Sequence, residues 1–474
     1  FGRISQLFRA CIPGFPFDAM PELKVNSLQG HVLTLEVAMT ESVRQLKAMI
    51  LEQHPCEDPI ERKVLKADIL HDRCLLDDAQ TLHEAGLEAE SEVSVIYSIN
   101  EMEAASQDDI HASEGFFQIN LSEGLTHVAA FAFRCCCEVV RVTVPTSVVD
   151  IGSSAFAGCS SLESITFPET VSDIRAGAFK GCNSLKCIII PDSVHHISPR
   201  VFAGCGSLKS VVIPDSVTYI GDGAFAGCNS LESIAIPGSV TCIGDGAFGG
   251  CSSLESIIIP DSVKCLGLSA FADCSCLESI TMPNSVTIVE NSVFEACSSL
   301  KGITIPDSVI RISPRAFVGC SSLKSITIPN SVTYIGDGAF AGCSSLESIT
   351  IPPSVTSIGA SAFAKCSSLE SISMPTSIRI IENFLFDGCS SLKSITIPDS
   401  VTHICHRAFV GCSSLRNITI PDSVSYIGDA AFAGCGSLES IIIPDSVTSI
   451  GASVFAECDL LKNITCSDSV NLTC

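Results

Sequence analysis

Residues able to hold a metal, attack a carbonyl or move a proton are present, but not at the spacings those reactions need. His403, Cys405 and His406 cluster, yet no further ligands follow at zinc spacing. They occupy ordinary places of a repeating pattern, where Cys405 and His406 stand for the Gly and the Asp or Ala of other copies. Cys135, Cys136 and Cys137 straddle a position where the pattern wants one small apolar side chain, and His195-His196 reads as a solvated pair on a turn. Gly221-Asp222-Gly223 follows a buried-type Ile but lacks the rest of a phosphate-binding glycine fingerprint. No Ser has a recognisable base. The expectation is a protein that is not an enzyme, with no catalytic residue, cofactor or metal.

One polar array is regular. A charged residue recurs every 23 positions: Glu163, Lys186, Lys209, Glu232, Glu255, Glu278, Lys301, Lys324, Glu347, Glu370, Lys393, Arg416, Glu439 and Lys462. Seven are acidic and seven basic, so the column is neutral although the chain carries a net charge of −25. Two readings fit it. Neighbours of opposite sign could form weak ion pairs on a solvated rim that keeps sheet edges apart, or the column could be a patterned docking strip for a protein partner. Beside it run Ser164, Ser210 and Ser233, and then Thr304, Thr327, Thr350 and Thr396. A Thr ladder of this kind also suits ordering of water at ice, but Ile189, Val212, Ala235 and Ile258 interrupt it.

The elements that must position these columns are written by the chain over and over. Phe133, Phe156 and Phe179 begin a series of 15 phenylalanines that runs to Phe455 at a fixed spacing of 23, and a Cys stands three residues after each one, from Cys136 to Cys458. Leu follows six residues after Phe and Pro twelve after it in nearly every copy. A fixed period of this size means a solenoid with one supersecondary unit per turn. Leu208 to Pro214 alternates like a strand that Pro ends, Asp215-Ser216 turns the chain, and Val217 and Ile220 form a second buried pair. Gly221 to Cys228 is expected to make one helical or 3₁₀ turn that carries Phe225 inward. His196 to Arg200 returns at Arg311 to Arg315 and at His403 to Arg407, so blocks of four or five turns look duplicated, which suits a repetitive partner.

Composition narrows the partners. Residues 1–113 hold 9 basic and 20 acidic residues and the remainder 18 and 32, so both parts repel a phosphate backbone and no nucleic acid is expected. No run of 18 apolar residues occurs, so no membrane span is expected. Fifteen of the 27 cysteines are the repeat column, which reads as reduced core thiols in a reducing compartment, although stacked neighbours are near enough to bridge if oxidised. Three of the four formal glycosylation sequons, Asn417-Ile-Thr among them, follow from the repeat itself.

In chain order, residues 1–19 are mildly apolar and basic and read as a remnant ahead of Met20. Residues 20–99 read as a compact α+β roll. Leu23–Val25 and Val32–Val37 form a hairpin, a helix follows Thr40 with Val43, Leu46 and Ile50 on one face, Val64-Leu65 and Ile69-Leu70 are short apolar pieces, and Val93–Ile99 is a closing strand. Residues 100–114 are polar, acidic and aperiodic, as a linker would be. Residues 115–132 are a degenerate turn that reads as the N-terminal cap, 133–466 are the repeats, and 467–474 carry no polar cap. The last turn is therefore expected to be a fragment end or to contact another chain end to end.

Two resemblances attach to these residues. The hairpin, Leu33–Val37, the Val43-x-x-Leu46-Lys47 helix, Leu76 to Leu82 and the last strand resemble a ubiquitin-like domain. The strand runs on into Asn100-Glu101 rather than ending in Gly-Gly, so the resemblance implies a built-in, non-conjugated module that docks onto partners. Residues 115–466 resemble the BspA-like, treponemal-type leucine-rich repeats. That resemblance implies a right-handed solenoid with a parallel sheet on one face, used in surface adhesins and in many intracellular proteins. The expected fold class is thus an α+β ubiquitin-like roll followed by a leucine-rich-repeat solenoid.

Together these features predict a cytoplasmic adaptor that binds one protein on the sheet face and another, of the ubiquitin system, through the N-terminal module. The alternative is a secreted or cell-surface adhesion or host-binding protein. A regulator associated with a protein-turnover enzyme follows from resemblance alone.

Overall fold

A computed structural model gives the strand backbone between Glu22 and Asn120, and the fold with its side chains over residues 118–121 and 124–466. The expectations for the helix after Thr40 and for residues 1–19 and 467–474 lie outside the described residues.

Strands β1 (Glu22–Ser27) and β2 (Val32–Glu36) pair as the expected antiparallel hairpin, from Glu22 opposite Glu36 to Asn26 opposite Val32. Strands β3 (Leu65–His71), β4 (Cys74–Leu75) and β5 (Glu92–Ile99) complete a sheet of order β2-β1-β5-β3-β4. Within it β1 and β5 run parallel, whereas β3 and β5 run antiparallel.

The linker expected over 100–114 is shorter than its composition suggests. Ile110–Ser113 forms strand β6, antiparallel to β7 (Phe116–Asn120), and β7 runs parallel to Val139–Thr143, the first long strand of the solenoid. β6 thus covers the edge that β7 would otherwise leave unpaired.

Beyond this edge every turn repeats the same path. In most three-residue strands an Ile is buried between two exposed residues, for example Ser325-Ile326-Thr327. Within each sheet a strand lies parallel and in register on its successor, as Ile326 on Ile349 and Thr327 on Thr350. The longest unbroken sheet has nine strands, from Ser233–Ala235 to Asn417–Thr419. Pro cannot donate to a ladder, so the strand stops, and Ser at the turn donates to a carbonyl of the previous turn, as Ser331 Oγ does to the Val309 oxygen at 2.6 Å. Two-residue strands such as Tyr334–Ile335 build a second series of parallel sheets.

The turn that carries Phe is not helical, and no helix occurs among the described residues. Its amides alternate in direction. The N–H groups of Ser154, Phe156 and Gly158 donate to the next turn, to the Ala176, Ala178 and Lys180 oxygens at 3.0, 2.8 and 2.7 Å. Those of Ala155, Ala157 and Cys159 donate three residues back, to Gly152, Ser154 and Phe156. A helix needs all its amides aligned with its axis. Here left-handed residues two before and two after Phe flip the peptides, with φ of 54° at Ser154 and 76° at Gly158. The same bracket holds where Gly is replaced, as at Ser361 and Lys365.

Inside, the Phe rings form one continuous stack. Centroids step by 5.0–6.0 Å with planes within 21° from Phe133 to Phe455, a separation suited to offset stacking. The Cys column does more than fill space. Cys182 donates its thiol to the Phe156 carbonyl at 3.2 Å, an oxygen that also accepts the Cys159 N–H. The same thiol bond recurs from Cys159 to Cys458. Among the described residues all cysteines are free.

Candidate binding face

Strand alternation decides what this face presents. With Leu and Ile turned inward, the charged residue, the small polar residue after it and the residue before the last apolar position turn outward. All fourteen charged residues fall in the outer column, directly ahead of the three-residue strands.

The column forms ion pairs in part. Glu163 meets Lys186 at 3.3 Å, Glu278 meets Lys301 at 2.7 Å, and Glu370 meets Lys393 at 2.7 Å. These pairs are solvent-exposed, so each adds only a few tenths of a kcal/mol. Among the described residues no ion pair forms at Lys209–Glu232, Lys324–Glu347 or Arg416–Glu439, although opposite charges face each other there too. The charges come in blocks: Lys186 and Lys209, then Glu232, Glu255 and Glu278, then Lys301 and Lys324. The pairs at Glu163–Lys186 and Glu278–Lys301 form where one block meets the next.

The neighbouring outer column changes character along the molecule. From Thr281 to Thr419 it is hydroxylic, with Ser373 as the one Ser. Before that, four successive strands put Ile189, Val212, Ala235 and Ile258 side by side. Ile189 is 70 % exposed, Val212 55 % and Ile258 73 %. An aliphatic row this exposed costs free energy in water. These residues are visible in the sequence as breaks in a Thr ladder; what they build appears only once their exposure and adjacency are known.

The titratable clusters prove to be structural. His406 Nδ1 accepts the Asp429 N–H at 3.0 Å, and its Nε2 lies 3.2 Å from the Tyr426 hydroxyl. The same rung is made by Asp222 to the Asp245 N–H, by Asp337 to the Ala360 N–H and by Asn383 to the His406 N–H. His406 is therefore one step of a side-chain ladder between turns, while His403 holds Thr402 Oγ1 at 2.8 Å. Cys405 is half-buried, and burial, followed by the nearby Glu382 carboxylate, pushes its thiol pKa up. Cys136 belongs to the buried column and Cys135 and Cys137 are exposed, with the Cys137 thiol 3.7 Å from the Gly158 oxygen. Among the described residues no three His, Cys, Asp or Glu side chains group as metal ligands, and no helix is long and apolar enough to cross a membrane.

The stacked parallel strands and their outward columns define a leucine-rich-repeat solenoid. More particularly, the BspA type leucine rich repeat region matches residues 110–207, 195–324, 310–409 and 379–473, and the chain belongs to that family. It is similar to a leucine-rich repeat protein from Bacteroides ovatus, with 32 % identity and a TM-score of 0.60 over 76 % of this chain and 88 % of that one. A leucine rich cell surface protein from Faecalibacterium prausnitzii aligns at 28 % identity and a TM-score of 0.36, over 78 % and 90 % of the two chains. The T. pallidum leucine rich repeat protein aligns at 37 % identity and a TM-score of 0.32, over 35 % of this chain and 79 % of that one. No curated protein matches the chain.

Proposed function

We propose that this is a non-catalytic binding solenoid that holds a protein partner on its outer sheet, centred on Ile189, Val212, Ala235 and Ile258. The observation that carries the reading is the exposure of this run of four aliphatic residues, 55–73 % at its three large members, where the turns from Thr281 to Thr419 place Thr or Ser and only the isolated Ile442 beyond them is again aliphatic. Apolar anchors within a polar rim are what a protein interface requires. Lys186 and Lys209 at one end of the row, and Glu232, Glu255 and Glu278 at the other, select a partner with acidic and basic groups in the opposite order. The remaining charged columns supply rim contacts.

A photo-crosslinking side chain at Val212, compared with one at Thr350, tests this directly. Capture of one defined protein from Val212 alone, abolished by Ile189→Asp with Ile258→Asp, is expected. Equal capture from both positions, or capture that survives the double substitution, removes the aliphatic row from the interface.

A secreted or cell-surface setting is the reading we place first. It is supported by membership of a repeat family whose resemblance implies surface adhesins, and by similarity to a bacterial leucine-rich repeat protein over most of both chains. The second reading is the cytoplasmic adaptor with a ubiquitin-like module. It draws support from the sheet order β2-β1-β5-β3-β4, in which the first and last strands lie parallel at the centre between two hairpins. Occupied sequons at Asn417 or Asn463, or export of the native protein, favour the first reading. Unglycosylated protein in the cytosol, with residues 20–99 retaining a ubiquitin-system protein, favours the second.

A further inference from the structure

Cys242 and Cys265 stand apart from every other cysteine described. They lie directly opposite each other on the neighbouring parallel strands Cys242–Ile243 and Cys265–Leu266, and no other described strand pair sets two cysteines in register. In-register Cα atoms on adjacent strands are about 4.8 Å apart, inside the roughly 4.4–6.8 Å range that a disulfide spans. Both are free thiols, Cys265 exposed and Cys242 partly so. The repeat column differs, since its thiols from Cys159 to Cys435 are buried and each is donated to a Phe carbonyl, as Cys251 and Cys274 are. The pair lines a surface groove of about 310 Å³, together with Asp222, Asp245, Glu290 and Lys264.

We propose that Cys242 and Cys265 are a surface dithiol that closes to a disulfide by exchange with a neutral or cationic low-molecular-weight disulfide. The groove's three carboxylates outnumber its one ammonium, so an anionic reagent such as oxidised glutathione is repelled. Cys265, the more exposed, loses its proton to solvent and attacks one sulfur of the reagent, forming a mixed disulfide and releasing one small thiolate, which takes up a proton. Cys242 then gives up its proton and attacks the Cys265 sulfur, and the second small thiol leaves. Two protein thiols are oxidised, and one small disulfide is reduced to two thiols. Burial first, then the facing Cys265 thiol and the Asp222 and Asp245 carboxylates, hold the Cys242 pKa up at about 11, which is consistent with Cys242 acting second.

The test treats the full folded chain with cystamine, quenches with acid and maps tryptic peptides. The expected product joins peptides 210–264 and 265–301 through Cys242 and Cys265, with no cystamine adduct kept on either and with dithiothreitol reversing the link. Exposed Cys187 and Cys276, which have no facing thiol, should retain adducts in the same sample. Cys242→Ser should hold the adduct on Cys265 at least ~10-fold longer than the wild type, because the intramolecular second step is gone. A wild-type adduct on Cys265 that lasts as long as in Cys242→Ser overturns the proposal. So does faster closure with oxidised glutathione than with cystamine.

Discussion

The inside of each turn and its outside obey different constraints. Phe294, Phe317 and Phe340 are fully buried, stack at 5.4 and 5.3 Å and occupy the same place on successive turns. The outer columns change from Ile258 to Thr281 within one turn, and from Glu278 to Lys301. An inner side chain must fit the turn before and the turn after, so one change disturbs two contacts and the column stays uniform. An outer side chain faces water, and its identity is free to record what the protein meets. Uniformity is the signature of stacking, and variation on a uniform lattice marks the positions that stacking leaves unconstrained.

Four experiments sharpen this contrast, in falling order of effect per side chain replaced or, in the titration, per thiol and pH unit. Phe294→Ala removes a ring from the middle of the stack and should cost about 3–5 kcal/mol, read as a lower urea midpoint. The outer change Thr327→Ala should stay within about 0.5 kcal/mol. If the two substitutions proved equal, the inside–outside distinction would fail.

Alkaline titration should come next. Burial lifts the thiols of Cys205, Cys251, Cys320 and Cys366 to about 12 in the folded chain, against about 8.5 when unfolded. With the folded pKa raised, their stabilising contribution is complete below about pH 8.5 and falls away up to about pH 12, by up to ~1.4 kcal/mol per thiol per pH unit. The denaturant midpoint should therefore drop steeply across that window. Replacing one of these cysteines with Ser should make the decline measurably shallower.

Cys320 separates packing from hydrogen bonding. Its thiol donates to the Phe294 oxygen at 3.2 Å. Cys320→Ser keeps a donor there, whereas Cys320→Ala should lose a further ~0.5–1.5 kcal/mol relative to Ser. The smallest effect belongs outside: Lys301→Ala breaks the exposed pair with Glu278 and should change stability by less than about 0.5 kcal/mol, less still in high salt.

Much of this could be read from the chain directly. The 23-residue spacing of Phe133 to Phe455 fixes stacking, and the alternation around Ile326 fixes which residues face out. The Phe turn was harder. Gly158 and Gly181 hint at left-handed backbone, but Ser154, Arg200 and Lys365 adopt the same φ and carry no such signal. Those positions are held by hydrogen bonds to the next turn, which a local reading of Gly221 to Cys228 cannot contain. The thiol–carbonyl bond was hidden for the same reason, because Cys182 and Phe156 meet only after the chain has closed a turn. On the face, the charged column was legible residue by residue. Which opposite charges pair was not, because Glu278–Lys301 and Lys324–Glu347 look alike in sequence and only the first closes.

The Phe turn also fixes the unit by which the molecule can grow. Its amides at Ser154, Phe156 and Gly158 donate to the next turn, while those at Ala155, Ala157 and Cys159 donate within their own. One residue inserted there would put every later amide of that turn on the wrong side of the alternation, whereas a whole extra turn meets the same acceptors as the turn it displaces. Such a molecule gains or loses length in steps of 23 residues.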